Sequence, residues 1–440
     1  MNTIAIDCGA SFVKAALFDE NGAVLTMLKQ TSPCVHQNED IFSPVQISSL
    51  VPIVKNLISQ LCKGLESVKL CISNEMHGFI LADESGKPFT DYISWQKEYG
   101  LIKINGKSSL DILTDSSFYE YVQNSGMKIR GGLPSSNLLY LIRSKSLIRN
   151  KEQKLYFYTL GDYLIKIITN QDIICHPTNA AATGLFNINT GKWNNDFIRA
   201  ICAENIVFSK IGNDKLSVLF DGCNLNVLPA IGDQQAALLG AGLKDEYDLS
   251  FNLGTGAQVT QLTKKIELSD NWQTRPFFHN FYLKTIPHLP SGRAMNVYVR
   301  FFKDILEKFG YEISDEKLWN VLLEQEKKAE STELKCDLSF FQNPITEDTV
   351  GKITNISEYG LNLGTLMKAV FSKMAENFLI AAKTIQLDTN LVKRIVFSGG
   401  VAKRIESIRK KILDSYNNVI VAPIIESETL FGLYKYGISL

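Results

Sequence analysis

The chain of 440 residues carries 46 basic and 46 acidic side chains, so no net charge draws it to nucleic acid or to anionic lipid. That length is enough for two domains with cores of their own. The eight cysteines are scattered, without a CxxC pair or zinc spacing, and no apolar run reads as a bilayer span or a signal peptide, so a cytoplasmic protein with reduced thiols and a small-molecule partner is expected. Residues 4–6 read as an apolar strand that ends at Asp7 and turns at Gly9, and residues 13–18 return as its hairpin partner. Amphipathic helical spacing occupies 47–61. A central strand at 68–72 then delivers residues 74–78 at its C-terminal end, where ligands bind in open α/β sheets. The polar, weakly periodic stretch 97–131 is expected to be an irregular cap, and helical periodicity returns at 137–148 and 161–168. The charged pentapeptide Lys244-Asp245-Glu246-Tyr247-Asp248 is the expected connection between domains 1–244 and 249–440. Beyond it the strand and turn recur as Leu249-Ser250-Phe251-Asn252-Leu253-Gly254-Thr255-Gly256, with a second hairpin strand at 259–262. Helices are expected at 301–309, 316–328 and 361–385, and a short buried strand at 395–397 enters Gly399-Gly400.

The repeated turn points to phosphate. A glycine two residues after Asp7 or Asn252 lets the backbone approach an anion closely, and backbone N–H groups can cradle it. The unit is strand, turn, strand, unlike the GxxxxGK[ST] loop, and two related halves facing one nucleotide are expected. A carboxylate at a strand end suits Mg²⁺, which makes Asp7 the candidate metal ligand; alternatively it caps its own turn. Asp233 interrupts the apolar stretch 227–242, where its charge is partly desolvated, which suits a general base. It also precedes a good helix start and reads as an N-cap, and both roles are compatible. Gly399-Gly400 on its own reads as an ordinary strand-to-helix turn.

Together with the twin turns, the motifs Glu75-Met76-His77-Gly78, Gly232-Asp233-Gln234-Gln235-Ala236, Ser398-Gly399-Gly400-Val401-Ala402-Lys403 and Glu428-Thr429-Leu430-Phe431-Gly432 resemble those of the FGGY carbohydrate kinases, in family order, from residue 3 to about residue 433. The resemblance implies an α/β fold of two actin-like (ribonuclease H-like) domains with a nucleotide and sugar cleft, and an ATP- and Mg²⁺-dependent transfer to a primary hydroxyl of a ketose sugar. It implies that Gly9, Ser11 and Lys14 in the first turn and Gly254, Thr255 and Gly256 in the second position the phosphates. Gly399, Gly400, Ala402 and Lys403 would hold the adenosine, Asp7 the metal, and Asp233 would be the base. Met76, His77, Trp95, Gln96, Asp233 and Gln234 would line the acceptor, the indole packing on the sugar's C–H face. A lone His at a strand end also reads as a satisfied core residue, and Trp95 as a core indole.

This chain departs from the family on the sugar side, with Glu75 for the usual Gln, Lys97-Glu98-Tyr99 after Trp95-Gln96, and Asn137-Leu138-Leu139-Tyr140 for Lys-x-x-Trp. The segments Arg275-Pro276-Phe277-Phe278, Tyr282-Leu283 and Leu289-Pro290-Ser291-Gly292-Arg293 resemble the sedoheptulokinase branch, which ranks sedoheptulose first and xylulose or another pentulose or polyol next. Arg293 adds a cation that would favour an acidic acceptor if it reached the pocket. An actin-like switch protein and a catalytically lapsed sugar sensor are the rival readings; the chain has no helix-turn-helix or basic segment for DNA. A homodimer is left open.

Overall fold

The computed structural model describes residues 1–33, 40–149, 154–254, 256–385 and 388–439, which form two compact units. Unit 1 comprises Met1–Gly240, Lys265–Tyr282 and Glu426–Leu440; unit 2 comprises Ala241–Lys264 and Leu283–Ile425. The units therefore do not follow a single cut of the chain, because two stretches of the second half pack with the first.

Unit 1 is built on a mixed sheet. Its strands β1 (Thr3–Cys8), β2 (Phe12–Phe18) and β3 (Val24–Thr31) run as an antiparallel meander. Helix α1 (Val45–Cys62) follows, and β4 (Ser67–Asn74) returns parallel to β1. The hairpin β5 (Leu216–Phe220) and β6 (Cys223–Val227) adds to the other side of β4, giving the order β5-β6-β4-β1-β2-β3. The short strand β7 (Ile231–Gly232) also pairs parallel to β4 and runs straight into helix α2 (Asp233–Ala241). Helix α1 is long and apolar enough to cross a membrane, with a mean hydropathy of 1.2. It instead lays Ile47, Leu50, Val54, Leu57, Ile58 and Leu61 into the core with Ile4, Ile6 and Ile72, each such burial contributing about 1.5–3 kcal/mol. Asp91 caps it, accepting from the Gln46 and Ile47 N–H groups at 3.0 and 2.9 Å.

The opposite face of the sheet is covered by the C-terminal helix Glu428–Ser439, whose Leu430, Leu433, Tyr434 and Tyr436 pack with Ala5, Ala16, Phe18 and Cys71. Glycines set its approach to α2. A Cβ on Gly432 would lie 1.8 Å from the Ala236 carbonyl oxygen, and one on Gly240 would lie 1.7 Å from that of Glu428. The stretch 97–131, expected to be irregular, contains the short helices Ser109–Leu113 and Tyr119–Ser125, the first closed by a Ser108–Asp111 capping box. Among the described residues all seven cysteines are free, six of them buried and Cys202 exposed; Cys34 lies outside the described residues.

Unit 2 repeats the opening of unit 1. The hairpin β8 (Asp248–Asn252) and β9 (Gln258–Thr263) is antiparallel. Helices α3 (Gly292–Lys308), α4 (Asp315–Lys328) and α5 (Leu363–Thr384) follow, the last with Ala375, Phe378 and Ala381 fully buried. Strand β10 (Arg394–Ser398) then lies parallel to β8, and β11 (Ile420–Val421) parallel to β10.

Candidate active site

Three parallel strands of unit 1 end level with one another. In their register Cys8 pairs with Asn74, and Asn74 with Gly232, so Asp7, Glu75 and Asp233 emerge at one edge of the sheet. Each position follows from the local chain. Ser73, opposite Asp7 on β4, donates its hydroxyl hydrogen to Asp7 Oδ1 at 3.0 Å, and Lys14 faces Asp7 from β2. The Glu75 N–H donates to the Cys8 carbonyl at 3.1 Å, continuing the ladder past the strand end. At Gly232 a Cβ would sit 2.5 Å from Gln235 Oε1 and 2.9 Å from the Met76 sulfur, so glycine is what lets the turn that carries Asp233 close on Met76.

All three carboxyls hold their protons more tightly than usual. Burial raises Asp7, against the Ser73 hydrogen bond and the Lys14 charge. Burial pushes Asp233 up to about 7, the Asp7 and Glu75 charges add to it, and the Gln234 N–H bond at 2.8 Å and the Arg275 charge oppose it. Glu75 is also pushed up to about 7 by burial, with the nearby Tyr92 and Trp95 side chains opposing the shift. The Gln234 N–H bond belongs to the first turn of α2, so Asp233 sits at a helix N-terminus as well as in the carboxyl cluster.

Of the residues expected to line the acceptor, Met76 and Gln234 are buried, Trp95 and His77 are partly exposed, and Gln96 is exposed. His77 adopts φ 67° and places Nδ1 2.8 Å from the Ala182 carbonyl; because a carbonyl only accepts, Nδ1 carries the proton. The Trp95 turn is clamped from below. A Cβ on Gly132 would lie 1.9 Å from the Trp95 carbonyl oxygen, and Asn137 Nδ2 donates to the Lys97 carbonyl at 2.7 Å while its Oδ1 accepts from the Gly100 N–H at 3.2 Å. Asn137, a departure from the family pattern, is therefore a staple for this turn.

Arg275 joins this group without having been singled out as a site residue. It lies on the strand Gln273–Pro276, donates to Gln234 Oε1 and Gln273 Oε1, and holds Nη1 4.0 Å from the Met76 sulfur. Arg130 lies 5.7 Å above the Trp95 ring. In the sequence Arg275 stood out only as part of the Arg275-Pro276-Phe277-Phe278 segment, with no role of its own. Arg293, by contrast, is exposed, with its guanidinium 4.3 Å above Phe341 in unit 2.

In unit 2 the second turn and the Gly399 turn meet backbone to backbone. Leu253 N–H donates to the Ser398 carbonyl at 2.8 Å and Val401 N–H to the Leu253 carbonyl at 3.0 Å. Gly399 has φ +90°, and a Cβ on it would lie 2.6 Å from the Gly254 nitrogen, so both strain and space demand glycine. Beside this junction is a cavity of about 300 Å³ lined by Gly254, Gly292, Asn296, Trp319, Gly400, Val401, Arg404 and Ile405. Ala402 is fully buried and Lys403 exposed, and neither lines it. Gly9 closes the first turn through its N–H to the Phe12 carbonyl at 3.2 Å, while Ser11 and Gly256 are exposed; Thr255 lies outside the described residues. Among the described residues no three His, Cys, Asp or Glu side chains cluster as a metal cage. Mg²⁺ needs no such cage when one or two carboxylates share it with phosphate and water, so Asp7 fits that role.

The profile of the FGGY family of carbohydrate kinases, N-terminal domain, matches residues 2–240. The chain belongs to the FGGY family of carbohydrate kinases. Curated FGGY-like relatives include the glycerol kinase of Marinomonas sp. (strain MWYL1), 26% identical over 274 residues, which are 58% of this chain and 53% of that protein. The glycerol kinase of Shewanella sediminis is 22% identical over 276 residues, 60% of this chain and 54% of the relative. The chain thus spans about half the length of the curated relatives it matches. Among solved structures, the gluconate kinase of Lactobacillus acidophilus superposes with a TM-score of 0.82 at 16% identity, covering 100% of this chain and 89% of the other. The ligand-bound xylulose kinase of the same organism gives 0.81 at 18% identity, with the same coverage. These likenesses show the two-lobed α/β fold of FGGY kinases, and none of the four relatives points to the sedoheptulokinase branch.

Proposed function

We propose that this FGGY protein transfers the γ-phosphoryl group of ATP to a hydroxyl of a sugar or polyol. The observation that carries the reading is the convergence of Asp7, Glu75 and Asp233 at the ends of three parallel strands, with Asp233 pushed up to about 7. A base is most effective when its pKa lies near the working pH. As the acceptor oxygen bonds to the γ-phosphorus and the bond to the β,γ-bridging oxygen breaks, the hydroxyl proton passes to Asp233 Oδ and ADP leaves. Asp7 and the first turn would hold Mg²⁺, which when bound neutralises charge on the phosphate oxygens. The cavity beside Gly254 and Gly400 suits adenosine, with Trp319 and Arg404 offering flat faces to the base.

The relatives named for glycerol, gluconate and xylulose favour a polyol, pentulose or sugar acid over sedoheptulose. Acceptor-dependent release of ADP from Mg·ATP tests the reading, across ketoses, polyols, aldoses and sugar acids. At least one acceptor should raise ADP release well above the acceptor-free rate; a panel in which none does would contradict it. Asp7→Ala should weaken Mg·ATP binding and turnover together, and an unchanged Mg²⁺ dependence would make Asp7 only a turn residue.

A further inference from the structure

Arg275 is a buried cation whose direct hydrogen-bond partners are neutral. Its side chain is 4% exposed, and its hydrogen bonds go to two neutral glutamines: Nε and Nη2 to Gln273, Nη1 to Gln234. A guanidinium has five N–H donors, so some are left over. Among the described residues no Asp or Glu oxygen forms an ion pair with Arg275. Burial works against its charge first and the nearby Arg130 second, and only the Asp233 charge favours it. Arg130 in turn lies over Trp95 and has Glu98 as the anion that supports it. An unpaired buried charge is costly, and a fold keeps one where something else pairs with it.

Resting on the kinase reading above, we propose that the acceptor is a sugar acid whose carboxylate pairs with Arg275, with Arg130 beside Trp95 as the second cation. The neighbours decide which anion this is. Arg275 is tied to Gln234 and touches Met76, two of the residues expected around the acceptor. Its planar fork matches a carboxylate, and the Gln273 and Gln234 bonds fix that fork before the ligand arrives. Such a site discriminates strongly, because a neutral sugar leaves the guanidinium unpaired.

The test uses the full chain with Mg·ATP, comparing D-gluconate and other aldonates with glycerol, xylulose and sedoheptulose by ADP release. An aldonate should have the highest kcat/KM, and Arg275→Met should lower that value roughly 10²-fold more than the value for any neutral acceptor, mainly through KM. Independently of turnover, D-gluconate should raise the Tm of the wild-type protein while xylulose and glycerol leave it unmoved. A neutral acceptor that outperforms every sugar acid overturns the proposal and leaves phosphoryl transfer standing. Equal losses for acidic and neutral acceptors in Arg275→Met also overturn it, since they place Arg275 on the transferred group or in the fold. If no acceptor draws ADP release, the kinase reading fails, and a Tm unmoved by gluconate then overturns this proposal as well.

Discussion

Glu75 and Asp233 show how burial sets the working range of a carboxyl cluster. Both are pushed up to about 7, and the Glu75 charge is one of the causes at Asp233. A base must be ionised to act, so kcat/KM should rise with pH through an acid limb near 7. Glu75→Gln keeps a side-chain oxygen beside Trp95 but removes a negative charge, so that limb should move to lower pH. A pH profile superimposable on that of the wild type would contradict the coupling. The same shift has a stability signature. Asp233 is raised in the folded protein above its ordinary 3.8, so the stability its protonated form contributes is present below that value and lost as pH rises through about 7. Asp233→Asn should therefore gain Tm relative to the ligand-free wild type between pH 5 and pH 8, as read by scanning fluorimetry; a constant difference would contradict the assigned direction. At this scale the sequence was legible where chemistry sits beside glycine at a strand end, as at Asp7 and Asp233. It gave Arg275 no role beyond its place in the Arg275-Pro276-Phe277-Phe278 segment, because a single cation in a short strand reads the same whether it snorkels to solvent or is buried.

At the scale of elements, glycines divide into those the packing requires and those it leaves open. Gly432 belongs to the first kind, since a Cβ there meets the Ala236 carbonyl oxygen at 1.8 Å. Gly432→Ala should force the C-terminal helix away from α2 at a cost of about 1–3 kcal/mol, seen as a Tm lower by several degrees. An unchanged Tm would mean that the crossing is looser than the geometry indicates. Gly400 is of the second kind, because a Cβ on it meets nothing within 4 Å, yet it lines the cavity assigned to adenosine. Gly400→Ala should leave Tm nearly unchanged while raising the KM for ATP; the reverse pattern would remove the nucleotide from that cavity. Periodicity revealed α1, α4, α5 and the twin hairpins, since each shows its own repeat over many residues. It could not say what the C-terminal helix packs against. An amphipathic face announces burial without naming the partner, and here the partner is the sheet that opens the chain.

For the whole molecule, the two units divide the proposed labour. Unit 1 holds the carboxyl cluster and the residues proposed to take the acceptor, and unit 2 holds the Gly254–Gly399 junction and its cavity. The ordered series of short motifs made the family legible, because each places a polar residue and a glycine at a strand end. The acceptor was less legible. The residues proposed to take it, Glu75, Trp95, Arg130, Gln234 and Arg275, are far apart in the chain and are brought together by tertiary contacts that no local pattern records. The central claim, that Asp233 is the base of a phosphoryl transfer, is tested most directly by the acceptor-dependent turnover of Asp233→Asn. The account predicts a kcat lower by roughly 10²–10⁴-fold with nucleotide affinity nearly intact, since only proton transfer is removed. Turnover near the wild-type rate would contradict it.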